Sequence, residues 1–253
     1  MNLLVAALDD GSRVEAARDL PAGEYICPMC EAPVTLKRGR VRVSHFAHAP
    51  NSDCPGSEPE SWRHLLAKRV LVEEIASYGW QAQVEVAHPS FGRRVDVDVT
   101  VPANGRWHRI AVEVQDSAIQ VDTMKARVAA DRRIGYSATA WLFTTHRAAA
   151  LMAVAPEHEV RVPDEMLWVA NRYGQGVPII DPENRDIWLA SFGSVHREGT
   201  SLSWYTSQGE LTGVDYPGRS LQKTKTVDRR RAGFRLLPVP GKYSNELAVT
   251  FIR

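Results

Sequence analysis

The run Ile110-Ala-Val-Glu-Val-Gln115 constrains this chain more than any other segment. Its alternation puts Ala111, Glu113 and Gln115 on one face of a strand and Ile110, Val112 and Val114 on the other. A carboxylate two residues from a second polar group inside an apolar run is costly unless the pair binds something. Residues 93 to 101 read Arg-Arg-Val-Asp-Val-Asp-Val-Thr-Val, alternate in the same way and carry Asp96 and Asp98. A loop at Ala103-Asn-Gly105 joins the two runs, and adjacent strands then bring Asp96 beside Glu113.

The surrounding pattern, residues 58 to 146, reads helix, three strands, helix, strand. Pro59-Glu60-Ser61 starts a helix in which Trp62, Leu65, Leu66, Val70, Leu71, Ile75 and Ala76 recur at helical spacing until Gly79. Gln81 to Ala87, Val95 to Val101 and Arg109 to Gln115 are expected strands. Val121 to Ile134 is a helix stopped by Gly135, and Ala138 to Thr144 a buried strand. Glu60, His64 and Lys68 recur every four residues and form one polar stripe, whose ordinary reading is a solvated ladder worth about 0.2–0.5 kcal/mol per pair.

Residues 1 to 57 open with a hairpin, Leu3 to Leu8 and Arg13 to Ala17 around Asp9-Asp-Gly-Ser12. A second hairpin is expected from Val34–Lys37 and Val41–Ser44, turning at Arg38-Gly39-Arg40. Cys27-Pro-Met-Cys30, His45-Phe-Ala-His48 and Cys54 supply five candidates for the four places of a structural zinc site. If His45 lies on a strand with His48, the two rings face opposite ways and only one is a ligand. The preferred set is Cys27, Cys30, His48 and Cys54, with His45 behind the ligands or replacing Cys54; the plain alternative is a buried thiol pair with surface histidines.

Residues 147 to 253 suggest β-structure in short segments such as Ile187–Ser191, Ser201–Tyr205 and Glu246–Ile252. Arg219 to Arg235 holds seven basic residues, Arg229, Arg230 and Arg231 among them, against Asp228 alone. Such a run is either a solvated loop or a phosphate-contacting patch. Whole-chain charge decides nothing, since a formal net charge of +1 over 253 residues neither indicates nor excludes a nucleic-acid partner. Three cysteines argue against a disulfide framework and suit a reduced compartment with a metal site. Met1 to Leu8 is too short for a signal-peptide core, and no apolar run reaches membrane-spanning length, so the expectation is a cytoplasmic protein without a membrane span.

The αβββαβ order with Asp on the second strand and Glu-x-Gln on the third resembles the PD-(D/E)xK nuclease superfamily. Cys27-x-x-Cys30, His45-Phe-Ala-His48, Cys54, Glu60-Ser-x-x-His64-x-x-x-Lys68, Asp96-Val, Glu113-Val-Gln115 with Ser117, and Trp141-Leu also occur in the order seen in CoiA-like competence proteins. That resemblance covers residues 1 to 145. It implies an α/β fold, a restriction-endonuclease-like core after an N-terminal β-hairpin zinc module, in a bacterial protein that handles incoming DNA; the β-rich C-terminal region lies beyond the resemblance.

On this reading Asp96 and Glu113 are ligands of Mg²⁺ or Mn²⁺, which polarises a phosphodiester and activates water. Two such carboxylates are expected to repel each other until a cation sits between them. Gln115 stands where the superfamily usually has Lys; it is neutral, cannot act as a base and can orient water. Asp98 is a substitute or assistant for Asp96. With the family pattern, the Glu60, His64 and Lys68 stripe faces the metal, Glu60 as an outer ligand and the others as phosphate contacts or water orienters. Arg127, Arg132 and Arg133 on the second helix are candidate phosphate contacts. The leading expectation is a metal-dependent DNA nuclease. A catalytically inactive DNA-binding protein of nuclease fold competes with it, and an RNA-directed or defence nuclease stays open because fold does not fix substrate.

Overall fold

A computed structural model describes residues 2–39, 43–54, 60–241 and 247–253. The N-terminal strands β1 (Asn2–Leu3), β2 (Val5–Ala7), β3 (Arg13–Glu15), β4 (Tyr25–Ile26), β5 (Pro33–Lys37) and β6 (His45–His48) form one sheet in the order β1-β6-β5-β4-β2-β3. The first hairpin forms, with Val5 opposite Glu15, but from shorter strands than Leu3–Leu8 and Arg13–Ala17: the chain breaks at Leu4 and Asn2–Leu3 pairs with β6 instead. The second differs: β5 pairs with β6, Val34 opposite His48 and Leu36 opposite Phe46, so the strand facing Val34–Lys37 is His45–His48, and Val43 and Ser44 precede it. The fully buried Phe46 decides this, packing against Tyr25 with ring centroids 4.9 Å apart and planes tilted by 51°. Arg40, Val41 and Arg42 of the expected turn and strand lie outside the described residues, as do Pro59 and Glu246.

The next elements are α1 (Trp62–Ser77), β7 (Gln81–His88), β8 (Arg93–Ala103), β9 (Arg106–Gln115), α2 (Val121–Ile134) and β10 (Ala138–Thr144), the expected αβββαβ order. Ser61 caps α1 by accepting from the His64 N–H at 3.1 Å, so Glu60 precedes the helix. Asn104 and Gly105 (φ 51° and 72°) make the two-residue turn between β8 and β9.

The sheet does not stop at residue 146. Beyond it come α3 (Ala149–Ala153), β11 (Glu159–Arg161), α4 (Asp164–Tyr173), β12 (Val177–Asp181), β13 (Asp186–Arg197), β14 (Thr200–Tyr205), β15 (Leu211–Tyr216), β16 (Arg219–Ala232), β17 (Arg235–Pro240) and β18 (Leu247–Ile252). One eight-stranded sheet runs β11-β16-β13-β12-β10-β9-β8-β7, with β10 parallel to both β9 and β12. The basic run is therefore no loop: it is β16, hydrogen-bonded between β13 and β11. Burial explains the difference, because Val227 and Phe234 at 4% and 6% exposure anchor the segment into the core. On one side of the sheet α1 packs with Val97, Val99, Ile110, Val112 and Val114; on the other α2 and α4 pack around Trp141 and Phe143. Among the described residues no helix is long and apolar enough to cross a membrane.

Candidate active site and metal centre

Two strands part at the candidate active site. The β8–β9 ladder ends at Val97 opposite Val112, although β8 continues to Arg93 beside β7 and β9 continues to Gln115 beside β10. Val97 lies in the α1 core, whereas Val95 packs with Ala111 and Tyr136, so β8 changes face at Asp96. In the fork, Asp96 Oδ2 accepts from the Val114 N–H at 2.9 Å and lies 3.2 Å from His64 Nε2. The neighbouring Glu113 Oε1 is 3.4 Å from the Asp96 backbone nitrogen and 2.6 Å from an Arg93 guanidinium nitrogen, and Oε2 accepts from Arg127 at 3.1 Å. Asp96 and Glu113 are thus brought together as expected, but the cations beside them are side chains of the chain itself.

The stripe on α1 corrects the solvated-ladder reading. Lys68 is 0% exposed, with Nζ 2.7 Å from Glu60 Oε2, 2.5 Å from Glu85 Oε1 and 3.9 Å from Asp96 Oδ1. Burial disfavours its charge, yet the three carboxylates outweigh that and raise its pKa. Burial likewise opposes protonation of His64, and the adjoining Asp96 carboxylate more than offsets it. For Asp96 the cost of burial is overcome by His64 and Lys68, so its pKa falls. Glu113 goes the other way: burial, with Asp96 and Asp131 nearby, raises its pKa against the pull of Arg93 and Arg127. Arg94 donates to Glu60, and Arg93 Nε donates to Asp131 at 2.9 Å.

Several of these residues were not singled out from sequence. Glu85 sits in Val84-Glu-Val86, the same signature that marked Glu113, and Arg93-Arg94 opens the strand that carries Asp96. Asp116 accepts from Ser61 Oγ and Thr144 Oγ1, both at 2.5 Å, tying the cap of α1 to the ends of β9 and β10. Gln115 is buried at the end of β9, opposite Phe143. Asp98 is not at the site: Arg109 and the Tyr136 hydroxyl hold it further along the strand. Arg127 reaches Glu113, while Arg132 and Arg133 are exposed on α2. Arg229 donates to the carbonyls of Leu151, Met152 and Val154, Arg231 lies over the Trp188 ring at 5.0 Å, and Arg230 is exposed.

As donors, Asp96 and Glu113 fit a hard divalent cation: both are buried, adjacent and anionic in kind. The charge around them is nearly balanced already. Glu60, Glu85, Asp96, Glu113 and Asp131 face Lys68, Arg93, Arg94, Arg127 and His64.

In the N-terminal sheet Cys27, Cys30, His48 and Cys54 place four ligand atoms within 4.8 Å of one another. Cys27 Sγ is 3.9 Å from Cys54 Sγ, and Cys30 Sγ is 3.4 Å from His48 Nε2. Tetrahedral zinc at ordinary bond lengths separates two sulfurs by about 3.8 Å and a sulfur from a nitrogen by about 3.5 Å, so the cluster could bind zinc. The knuckle closes through Glu31, whose N–H donates to the Cys27 carbonyl at 2.9 Å and whose φ is 57°. Burial pushes the Cys27 thiol up to about 12 and lowers the pKa of His48. His45 is the outsider: strand alternation turns it away from His48, and its Nδ1 lies 3.1 Å from the Val43 carbonyl oxygen.

Residues 8–57 match the family model "Competence protein CoiA, N-terminal domain" and residues 60–191 match "Competence protein CoiA, nuclease-like domain". The chain belongs to the CoiA competence protein family. Among curated relatives, it is 31% identical over 104 residues to competence protein CoiA of Bacillus subtilis (strain 168), covering 41% of this chain and 27% of that protein. It is 38% identical over 52 residues to Druantia protein DruB of Escherichia coli (strain UMEA 4076-1), covering 19% of this chain and 10% of that one. The chain thus spans about a quarter and a tenth of the length of these relatives. No solved structure matches.

Proposed function

We propose that this CoiA-family protein is a metal-dependent nuclease that hydrolyses phosphodiester bonds in DNA, in bacterial uptake, processing or defence, on a PD-(D/E)xK core. The observation that carries the reading is the strand fork, which sets Asp96 and Glu113 side by side with Gln115 two residues further on. Held by Asp96 and Glu113, Mg²⁺ or Mn²⁺ would supply polarisation of the phosphoryl oxygens and a more acidic attacking water. The Val114 N–H and His64 aim Asp96, and Lys68 adds a fixed positive charge beside it. Gln115 orients water by hydrogen bonding. Arg127, the more exposed of the two guanidinium groups on Glu113 at 16% against 8%, exchanges its carboxylate for a substrate phosphate. In the N-terminal module Cys27, Cys30, His48 and Cys54 hold one structural zinc.

A specific observation favours a second reading, a nuclease fold that binds DNA without cutting it. Glu113 is engaged by Arg93 and Arg127, so paired carboxylates here have a use without a metal. Purified protein with Mg²⁺ or Mn²⁺, incubated with labelled single-stranded, duplex and branched DNA and with RNA, separates the two. The nuclease reading predicts chelator-sensitive cleavage of at least one DNA; binding with no cleavage of any substrate supports the second.

A further inference from the structure

Glu85 occupies an unusual place. Among the described residues it is the one strand position at which a non-glycine residue takes a left-handed backbone, φ 50°, a conformation that side chains of this chirality avoid. The β7–β8 register passes over it, from Val84 opposite Val97 to Val86 opposite Val95, so it is displaced from the ladder directly across from Asp96. Displacement turns a 1%-exposed carboxylate to two tasks. Oε2 accepts the backbone N–H groups of Leu4 (2.8 Å) and Val5 (3.2 Å), at the break between β1 and β2, and Oε1 accepts from Lys68 at 2.5 Å. The same strand segment is gripped from outside, since Arg13 donates to the carbonyls of Val84 and Glu85.

We propose that Glu85 is a positioning residue that fixes Lys68 beside Asp96 and makes the N-terminal module a working part of the active site. The proposal rests on the nuclease reading only for its effect on turnover. Lys68 has three donor hydrogens, and with Glu60 and Glu85 accepting two of them its remaining freedom is directed toward Asp96. Glu85 in turn is held by two amides that belong to the metal-bearing sheet. A shift of that sheet therefore reaches the ammonium group at the fork through the Glu85 side chain. A module docked only to grip DNA has no need of a buried carboxylate shared with Lys68.

The test combines Glu85→Gln and Lys68→Gln with two measurements on the full chain. Glu85→Gln is expected to keep its zinc and its circular dichroism, to lower kcat about 10- to 100-fold and to leave KM for the cleaved DNA unchanged. In amide hydrogen exchange, Leu4 and Val5 are expected to lose protection in Glu85→Gln. They are also expected to lose it in Lys68→Gln, by more than the core amides of β9 and β10 do, although Lys68 touches neither amide. Wild-type kcat in Glu85→Gln, or a loss at Leu4 and Val5 in Lys68→Gln no greater than that in β9 and β10, overturns the proposal and leaves Glu85 a tie between two modules. If wild type cleaves nothing, the nuclease reading fails and the exchange of Lys68→Gln alone decides this one. That arm also decides if Glu85→Gln does not fold, because it retains Glu85.

Discussion

Lys68→Met separates the buried network from a solvated ladder by size. Were Lys68 a surface partner in i,i+4 pairs, its loss would cost about 0.2–0.5 kcal/mol per pair. In the structure its ammonium is fully buried between Glu60 and Glu85, with Asp96 at 3.9 Å. Removing one member of a buried ion pair typically costs about 3–5 kcal/mol, because the carboxylates left behind are desolvated without a counter-ion. Arg94 still pairs with Glu60 and attracts Glu85, but among the described residues Glu85 then keeps only two backbone amides as hydrogen-bond donors. At about 2–4 °C per kcal/mol for a chain of this size, Tm should fall by about 6–20 °C. Thermal melts in zinc-replete buffer, followed by circular dichroism, measure it. Adding Glu85→Gln to Lys68→Met should return part of the loss, since the orphaned charge is gone. A Tm change below about 2 °C refutes the buried network.

Other outcomes follow from the same geometry. Freshly purified protein should carry one zinc per chain by elemental analysis, and Cys27→Ser should lose it and unfold the N-terminal sheet; zinc below about a tenth of stoichiometric in wild type contradicts the cluster. Glu85 and Asp116 have pKa values below their ordinary 4.5 and 3.8: for Glu85 the cost of burial is overcome by Lys68 and Arg94, for Asp116 by hydrogen bonds from Ser61 and Thr144. Their stabilisation is therefore complete above about pH 4.5 and lost as pH falls through the depressed values. Urea midpoints from pH 7 to pH 2 should show this acid limb, shallower in Glu85→Gln. Arg229→Ala should destabilise the protein without changing the salt dependence of DNA binding, whereas Arg230→Ala should flatten it by at most about one unit if β16 meets phosphate.

Much of the core was legible because local chemistry and burial agree there. The ends of α2 and β10 follow from helical periodicity stopped by Gly135 and from an unbroken apolar run. Strand parity alone separated His48 from His45. Three features were not legible. Periodicity says that His64 and Lys68 share a face of α1 but not that the face meets the fork; the family pattern, and not the spacing, turns it inward. The β16 segment looks like a solvated loop because its charges outnumber Val227 and Phe234, the residues that bury it. Glu85 repeats the Val-Glu-Val signature of Glu113, yet its role depends on a left-handed residue inside a strand, which no side-chain pattern announces.

The central claim is that Asp96 and Glu113 serve a metal-dependent cut in DNA. Single-turnover cleavage of the best DNA substrate, comparing wild type with Asp96→Asn in Mn²⁺ and in chelator, tests it most directly. Asp96→Asn keeps the shape of the side chain and removes its charge. The account predicts cleavage by wild type in Mn²⁺ alone, and its loss in Asp96→Asn with DNA affinity largely retained. Metal-dependent cleavage that survives in Asp96→Asn would contradict it.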